Sequence, residues 1–361
     1  MKTLKRSLSL FLAMVLLAAL AVPAFAATET AVDETVSFLC YNVAGLPIPS
    51  AFSPTKKVVP TATKKIGEAL NNCGCDVIAV QEDFQFHGIL ARQMTNYPYQ
   101  TFTSGGIPVG DGLNIFSKYP LYNVERVAWN EAYGIFTQGA DELTPKGFIK
   151  CTVDYKGLLF DFYNIHVDAY GSEIDCLYKV KQFNQLLDYI TENSAGRSVL
   201  ITGDYNAVMH SDVNAKLYPI MIEGGGFKDA WCEVVNNGDY FQGEDKYERI
   251  NYFASLYQDY WGYWDSVERM LYRDGDLQLT ALTNEYELYV DENGNPLSDH
   301  ASCRFDFRFT ADRYVRPEME LKEPRRESIF SAISRRVHYF FHSLNLILTN
   351  LWSWATKGEY R

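Results

Sequence analysis

Short apolar runs of strand length recur along the chain, and they alternate with a few longer stretches that have helical spacing. Runs without strict alternation are typical of strands buried on both faces, which must lie between other layers of structure. The runs outnumber the helical stretches, and many lie within hairpin distance of one another. This order favours a mixed-sheet α/β sandwich over a doubly wound parallel sheet. Strands are predicted at 36–43, 76–81, 112–117, 147–154, 158–166, 199–202, 267–272 and 303–309, and helices at 61–71 and 174–192.

The first 26 residues have the features of a secretory signal peptide. Lys2, Lys5 and Arg6 precede an apolar run over residues 8–22, and the sequence Ala-Phe-Ala follows at 24–26. An uncleaved membrane anchor is the alternative, but the small residues at the predicted cleavage site favour removal. We therefore expect a secreted, extracellular protein, either free or associated with a cell surface or membrane.

The C-terminal segment differs from the rest of the chain in charge and pattern. Pro317 and Pro324 separate it from a main domain that we place at residues 33–316. Between residues 325 and 361, six Lys and Arg residues oppose two Asp and Glu residues. Apolar and aromatic residues at steps of three and four predict an amphipathic helix over residues 325–356.

Three placements of this helix are compatible with the sequence. Residues 337–356 carry no Asp, Glu, Lys or Arg, so the stretch is long enough to span a bilayer. It contains two His and two Asn residues, which are costly in hydrocarbon and disfavour spanning. A helix that lies in a membrane interface and a helix that docks on its own domain both remain open.

The overall charge restricts the choice of partner. The formal net charge is −12 and the sequence pI is about 5.0, whereas proteins that hold nucleic acid by charge are basic. Nucleic acid is therefore a less favoured partner, although an enzyme that binds its own cations weakens the argument. The chain is 47% hydrophobic, which is enough to form a folded domain. We expect a monomer.

Polar side chains cluster where the predicted strands end. Taken singly, each is ordinary, because Asn and Asp often end strands and a lone His is commonly structural. Together they supply carboxylates, amides and two imidazoles at corresponding strand ends, which indicates one shared site. These residues are Asn42, Glu82, His166, Asp204, Asn206, Asp299 and His300.

Five motifs in order resemble the endonuclease/exonuclease/phosphatase superfamily over residues 35–310. They are Asn42, Gln81-Glu82, Asn164-x-His166, Gly203-Asp204-x-Asn206 and Ser298-Asp299-His300. The resemblance implies a four-layered α/β sandwich with two packed mixed β-sheets and a site at one end. Further motifs resemble those of secreted sphingomyelinase-like phosphodiesterases; they lie at 42–47, 112–120, 144–148 and 296–300.

The resemblance also implies a metal ion and a general base. It assigns Mg²⁺, with Mn²⁺ or Ca²⁺ as alternatives, to Glu82 with Asn42 and Asp299 beside it. Carboxylate and amide oxygens suit Mg²⁺, which binds through one or two carboxylates and keeps several waters. His300, oriented by Asp299, is expected to take a proton from the attacking water.

The remaining catalytic assignments concern the phosphoryl group. Asp204 and Asn206 are expected to position the water or the phosphoryl group, and His166 to donate to a non-bridging oxygen. Glu268 stands where the family usually has Asp, one methylene shorter. Asp265, three residues earlier, is the alternative carboxylate.

These features predict a secreted Mg²⁺-dependent phosphodiesterase that hydrolyses a phospholipid headgroup, as a sphingomyelinase-like phospholipase C does. The alternatives are a deoxyribonuclease-like endonuclease, an inositol or sugar phosphate phosphatase, and, least favoured, a non-catalytic surface-binding protein. The expected partners are a phospholipid or another phosphoester substrate, and a membrane surface contacted by the C-terminal helix. Residues 240–264 are rich in Tyr and Trp and are read as either a lipid-facing belt or an insertion that covers the core.

Overall fold

The computed structural model describes residues 30–49, 57–107, 110–134, 141–207, 217–238, 240 and 267–357. The predicted signal peptide, Asp265 and all but the first residue of the aromatic stretch 240–264 lie outside these residues. The described strands are β1 (Thr30–Asn42), β2 (Val77–Gln81), β3 (Tyr99–Gln100), β4 (Asn114–Ser117), β5 (Leu121–Ala128), β6 (Gly147–Tyr155), β7 (Leu158–His166), β8 (Val199–Asp204), β9 (Lys228–Asp229), β10 (Glu268–Arg273), β11 (Gln278–Glu287) and β12 (Ser302–Tyr314). The described helices are α1 (Val59–Asn72), α2 (His87–Ala91), α3 (Glu173–Asn193), a π-helical turn (Tyr218–Gly224), α4 (Ala230–Val234) and α5 (Ile329–Lys357).

The described strands form two six-stranded mixed sheets. The first has the order β11-β12-β1-β2-β4-β3, and the second has the order β5-β6-β7-β8-β10-β9. Each sheet contains one parallel pair, β1 with β2 in the first and β7 with β8 in the second, and its other pairs are antiparallel.

The two sheets pack face to face because side chains alternate along each strand. On β1, Phe38 and Cys40 point into the core between the sheets, whereas Leu39 and Tyr41 point to the outer face. Strands of both sheets are therefore buried on both faces, which explains the continuous apolar runs in the sequence.

Helices cover the outer face of each sheet. Helices α1 and α2 pack on the first sheet through residues such as Ile66 and Leu90, and α3 packs on the second through Phe183 and Leu186. Helix α3 begins at a capping box, in which Ser172 and Asp175 each bond the other's backbone N–H. The result is four layers, so the predicted α/β sandwich of two packed mixed sheets is confirmed.

The C-terminal helix is also confirmed, as the 29-residue helix α5. It contacts the sandwich through residues such as Asn350, which bonds to Tyr178 and Glu142. Among the described helices, none combines the length and the apolar character needed to cross a membrane. The structure shows α5 in contact with the domain, and a membrane contact of its exposed side stays a prediction.

Candidate functional site

The register of the second sheet brings four strand ends into one row. Gly147 of β6 pairs with His166 of β7, His166 pairs with Asp204 of β8, and Asp204 pairs with Glu268 of β10. Lys146 comes directly before this row. The sequence expectation that these polar residues share one sheet edge therefore agrees with the structure.

The matching edge of the first sheet lies against this row. Asn42 ends β1 and pairs with Gln81 of β2, and Glu82 follows directly. The Nδ2 atom of Asn42 donates to Glu82 Oε1 at 3.1 Å and to Asp204 Oδ2 at 3.0 Å, so one amide joins the two sheets. Below it, Gln81 Nε2 donates to Asn164 Oδ1 at 2.6 Å. These buried bonds fix the distance between the two halves of the site.

His300 is held by Glu268 rather than by its chain neighbour. Its Nδ1 atom lies 2.5 Å from Glu268 Oε1, and its Nε2 atom lies 4.0 Å from Asp204 Oδ2. The expectation that Asp299 holds the ring is wrong, because the ring bonds to Glu268, while the Asp299 side chain is exposed. Although burial opposes it, the Glu268 carboxylate raises the pKa of His300 well above its usual value. The structure thus pairs His300 with Glu268.

His166 lies deeper in the domain than His300, and its pKa is shifted in the opposite direction. It is almost fully buried, with Nε2 3.5 Å from Asp204 Oδ2 and with Nδ1 buried without a hydrogen-bond partner among the described residues. Burial, reinforced by the positive charge of Lys146, lowers the pKa of His166 well below its usual value. The ring is therefore neutral near pH 7 and can donate one N–H to an anionic oxygen.

Asp204 and Asn206 occupy a turn at the end of β8. Asn206 has a left-handed backbone with φ of 45°, and its N–H donates to Asp204 Oδ1 at 2.9 Å. Its side-chain Nδ2 donates to the carbonyl of Val167 at 3.0 Å. Left-handed conformations in residues other than Gly cost energy and recur at functional sites. Despite burial, the positive charges around it, those of His300 and Lys146 among them, lower the pKa of Asp204, which keeps it ionised.

Glu82 and Asp299 offer carboxylate oxygens for a Mg²⁺ site, and Asn42, which turns its Nδ2 to Glu82 and its Oδ1 to the N–H of Ala44, would become a ligand once its amide rotates. The backbone of Glu82 is in the left-handed region, with φ of 56°, and its side chain is partly exposed at the edge of the sheet. Desolvation and the neighbouring Asp299 carboxylate raise the pKa of Glu82, so two acids repel each other there. A hard divalent cation between oxygen ligands relieves such repulsion.

A second group of possible ligands consists of Asp204, Glu268 and His300, whose ligand atoms all lie within 4.8 Å of one another. Here the Nδ1 atom of His300 already bonds to Glu268. The all-oxygen group at Glu82 suits Mg²⁺ better, because Mg²⁺ prefers oxygen ligands to imidazole.

Two lysines near the site were missed as site residues from the sequence. The Nζ atom of Lys146 lies 2.6 Å from Asp141 Oδ1, and Lys146 lowers the pKa values of His166 and Asp204. Lys57 donates to the carbonyls of Val43 and Leu297, and its charge interacts with Asp299 and Glu82. The available signal for Lys146 was its place directly before the strand that pairs with His166.

The fold and this constellation define a class of phosphoester-processing proteins. The model of the Endonuclease/Exonuclease/phosphatase family matches residues 39–300, so the chain belongs to that family. The resemblance inferred from the five motifs is confirmed.

Within the family, the chain is similar to the protein called Sphingomyelinase in Mycobacterium bovis and in Mycobacterium tuberculosis. Identity is 30% over an alignment of 298 residues that covers 79% of this chain and 55% of each relative. The chain thus spans about half the length of these curated relatives.

Several solved structures share the fold. Sphingomyelinase C from Streptomyces griseocarneus has a TM-score of 0.52 at 19% identity, covering 76% of this chain and 99% of that one. A Staphylococcus aureus beta toxin variant with bound magnesium ions has a TM-score of 0.53 at 16% identity, covering 75% and 99%. D. rerio TDP2, complexed with a single-strand DNA product, has a TM-score of 0.54 at 14% identity, covering 76% and 99%.

Proposed function

We propose that the protein is a Mg²⁺-dependent phosphodiesterase that hydrolyses the headgroup phosphoester of a phospholipid such as sphingomyelin. One observation carries the proposal. His166, whose pKa is lowered, and His300, whose pKa is raised, lie together with three carboxylates where the edges of the two sheets face each other. The carboxylates are those of Asp204, Glu268 and Glu82. The similarity to sphingomyelinases supports a lipid substrate.

In the proposed reaction, water attacks the phosphorus atom, and each residue of the site has a separate role. Once its ring is deprotonated, the Nε2 atom of His300 takes the proton from the attacking water, and Glu268 holds the ring and stabilises the imidazolium that forms. Asp204 and Asn206 position the water or the phosphoryl group. Neutral His166 donates to a non-bridging oxygen, and Lys146 adds positive charge to the same side. The bond from phosphorus to the lipid oxygen breaks, that oxygen takes up a proton from water and leaves as the alcohol, and the phosphorylated headgroup is released.

Glu82, Asn42 and Asp299 would hold the Mg²⁺ ion. When bound, the ion supplies positive charge for the phosphoryl oxygens and for the leaving oxygen. The proposal includes export by residues 1–26 and action outside the cell, either free or at a cell surface or membrane.

A side-by-side assay of the mature protein tests this function. Sphingomyelin vesicles, plasmid DNA and inositol phosphates are each incubated with Mg²⁺ or with EDTA, and phosphocholine, nicked DNA and phosphate are measured. We expect Mg²⁺-dependent release of phosphocholine. Plasmid nicking without phosphocholine release would assign a nuclease, and phosphate release from inositol phosphates alone would assign a phosphatase.

Two variants separate the proposed roles. His300→Ala should lower phosphocholine release by about 10²–10⁴-fold, the usual contribution of a general base. Glu82→Gln should raise the Mg²⁺ concentration needed for half-maximal rate, because one charged ligand oxygen is lost. Near-normal rates in His300→Ala, with unchanged Mg²⁺ dependence in Glu82→Gln, would contradict the assignment.

A further inference from the structure

Helix α5 docks on the sandwich through its polar face, the reverse of the usual arrangement for an amphipathic helix on its own domain. Among its described residues, three are buried: Tyr339 at 5% exposure, and Asn350 and Ser353 at 4% each. They lie at positions 339, 350 and 353, with the partly buried His342 between them, and therefore form one stripe along the helix.

Specific hydrogen bonds hold this stripe. The Nδ2 atom of Asn350 donates to Glu142 Oε1 at 2.7 Å, and its Oδ1 atom accepts from Tyr178 Oη at 3.0 Å. The Nε2 atom of His342 lies 2.9 Å from the carbonyl oxygen of Trp129. Polar contacts of this kind fix the orientation of a helix while they leave its apolar face without a partner in the described sandwich.

Most of the exposed residues of α5 are apolar or aromatic, and they occur along its whole length. Phe330 is 86% exposed, Trp352 73% and Trp354 60%. A continuous exposed apolar face is rare on monomeric proteins and marks an interaction surface. The exposed apolar residues are Ile329, Phe330, Ile333, Val337, Phe340, Phe341, Leu344, Leu348, Leu351, Trp352 and Trp354.

The polar stripe fastens α5 to the segments that support the candidate site. Trp129, whose carbonyl faces His342, donates from its indole Nε1 to the carbonyl of His166 at 2.7 Å. Glu142, which bonds to Asn350, directly follows Asp141, the partner of Lys146. The C-terminal half of α5 is thus tied to the side of the site that holds His166.

The other half of the stripe lies beside the metal-binding side. Tyr339 is buried near the ion pair of Asp111 and Arg126, whose charges act on its pKa together with burial, which raises it. Gly112, next to Asp111, packs so closely on Glu82 that an added Cβ would lie 3.1 Å from the Glu82 Cα atom. Helix α5 therefore runs along one flank of the site.

We propose that the apolar face of α5 lies in the interface of a zwitterionic phospholipid bilayer and that its docking holds this flank of the site against the lipid. The stretch 337–356 carries no charged residue, and two exposed tryptophans lie near its end, a pattern that suits the depth of the headgroups. Arg325, Arg326 and Arg336 are exposed at the other end, where they can meet lipid phosphates.

The test combines vesicle binding without turnover with two hydrolysis assays. Full-length mature protein is sedimented with phosphatidylcholine–sphingomyelin vesicles in EDTA. Hydrolysis of vesicle sphingomyelin and of soluble bis(p-nitrophenyl) phosphate is then measured with Mg²⁺. The variant Phe341→Ser/Trp352→Ser/Trp354→Ser changes the apolar face, and Ser334→Ala/Asn345→Ala/Thr349→Ala is its matched control at exposed polar positions of the same helix.

The apolar-face variant should bind vesicles at least about tenfold more weakly, because three aromatic side chains no longer enter the interface. Its hydrolysis of vesicle lipid should fall similarly, whereas hydrolysis of the soluble diester should stay within about twofold. Unchanged vesicle binding would overturn the proposal. A wild-type dimer that only the apolar-face variant converts to a monomer, with unchanged vesicle binding, would assign the face to a second copy.

Asn350→Ala tests the docking. It should keep vesicle binding but lose vesicle hydrolysis severalfold, because the helix no longer fixes the site relative to the lipid; full vesicle hydrolysis would contradict this part. The proposed membrane contact depends on the proposed function only for the choice of sphingomyelin as the lipid that is hydrolysed. If the wild-type protein binds vesicles but hydrolyses neither sphingomyelin nor the soluble diester, the proposed function is wrong and the membrane contact is still supported.

Discussion

At the scale of single residues, the site is organised by the carboxylate that holds His300. Glu268 reaches the ring from β10, at a distance of 2.5 Å between Oε1 and Nδ1, although the family usually has the shorter Asp there. The extra methylene is accommodated because β10 pairs directly with β8, which places Glu268 opposite Asp204. A carboxylate in this position fixes the ring and stabilises its protonated form.

This geometry predicts different effects for the two carboxylates considered from the sequence. Glu268→Gln should lower kcat about 10²-fold or more, because a neutral amide cannot stabilise the imidazolium. Asp265→Asn should stay within about threefold of the wild type. The measurement is the steady-state rate of phosphocholine release, with folding checked by circular dichroism. A greater loss in Asp265→Asn than in Glu268→Gln would transfer the role to Asp265.

Residue types at strand ends were predictable, but their pairings were not. Asn42, His166 and Asp204 could be located because each follows a recognisable buried run. Asp299 was expected to hold His300 because the two are neighbours in the chain, whereas the actual partner depends on a contact between residues 32 positions apart. Lys146 was missed for the same reason, since its place beside His166 follows from the register of β6 and β7.

At the scale of elements, the parallel pairing of β7 and β8 depends on Gly203. Its φ is +149°, and a Cβ added there would lie 2.0 Å from the carbonyl oxygen of Ile165 on the neighbouring strand. Close backbone approach at this point aligns His166 with Asp204 one residue further on. Glycine is therefore required by both conformation and space.

Replacing this glycine should be costly for stability. Gly203→Ala should lower the free energy of unfolding by about 3 kcal/mol or more, because the strands must separate to admit the methyl group. Gly196→Ala is the control, since Gly196 also has a positive φ but has open space around it, and should cost about 1–2 kcal/mol. Urea denaturation of both variants gives the comparison, and equal losses would contradict the role of close approach.

The strands most easily predicted are those with both faces in the core. Strand β7 is buried throughout and was predicted with its observed limits, 158–166. Strand β11 was not predicted, because it alternates between buried and exposed residues and carries polar side chains outward. Strands β1 and β12 extend beyond their predicted limits at 36 and 309, since their outer ends continue past the apolar run.

At the scale of the whole molecule, one aromatic cluster joins the two sheets. Phe38 of β1 stacks on Phe162 of β7, with ring centroids 5.5 Å apart, and meets Phe160 of β7 and Phe307 of β12 edge-on at 5.9 Å each. Because each sheet contributes one half of the site, the packing of these rings also fixes the distance between Asn42 and Asp204. Stability and activity therefore depend on the same interface between the sheets.

Phe38→Ala should therefore lower the free energy of unfolding of the whole domain, which should still unfold in a single transition. A buried Phe replaced by Ala typically costs about 3–5 kcal/mol, which corresponds to a fall in Tm of roughly 10 °C in a domain of this size. The far-ultraviolet circular dichroism and tryptophan fluorescence transitions should still coincide, since the two sheets share one core. Phe340→Ala on the exposed face of α5 is the matched control and should change stability by no more than about 0.5 kcal/mol. Two separate transitions in Phe38→Ala would show that the sheets unfold independently, and the site would then need another explanation for its rigidity.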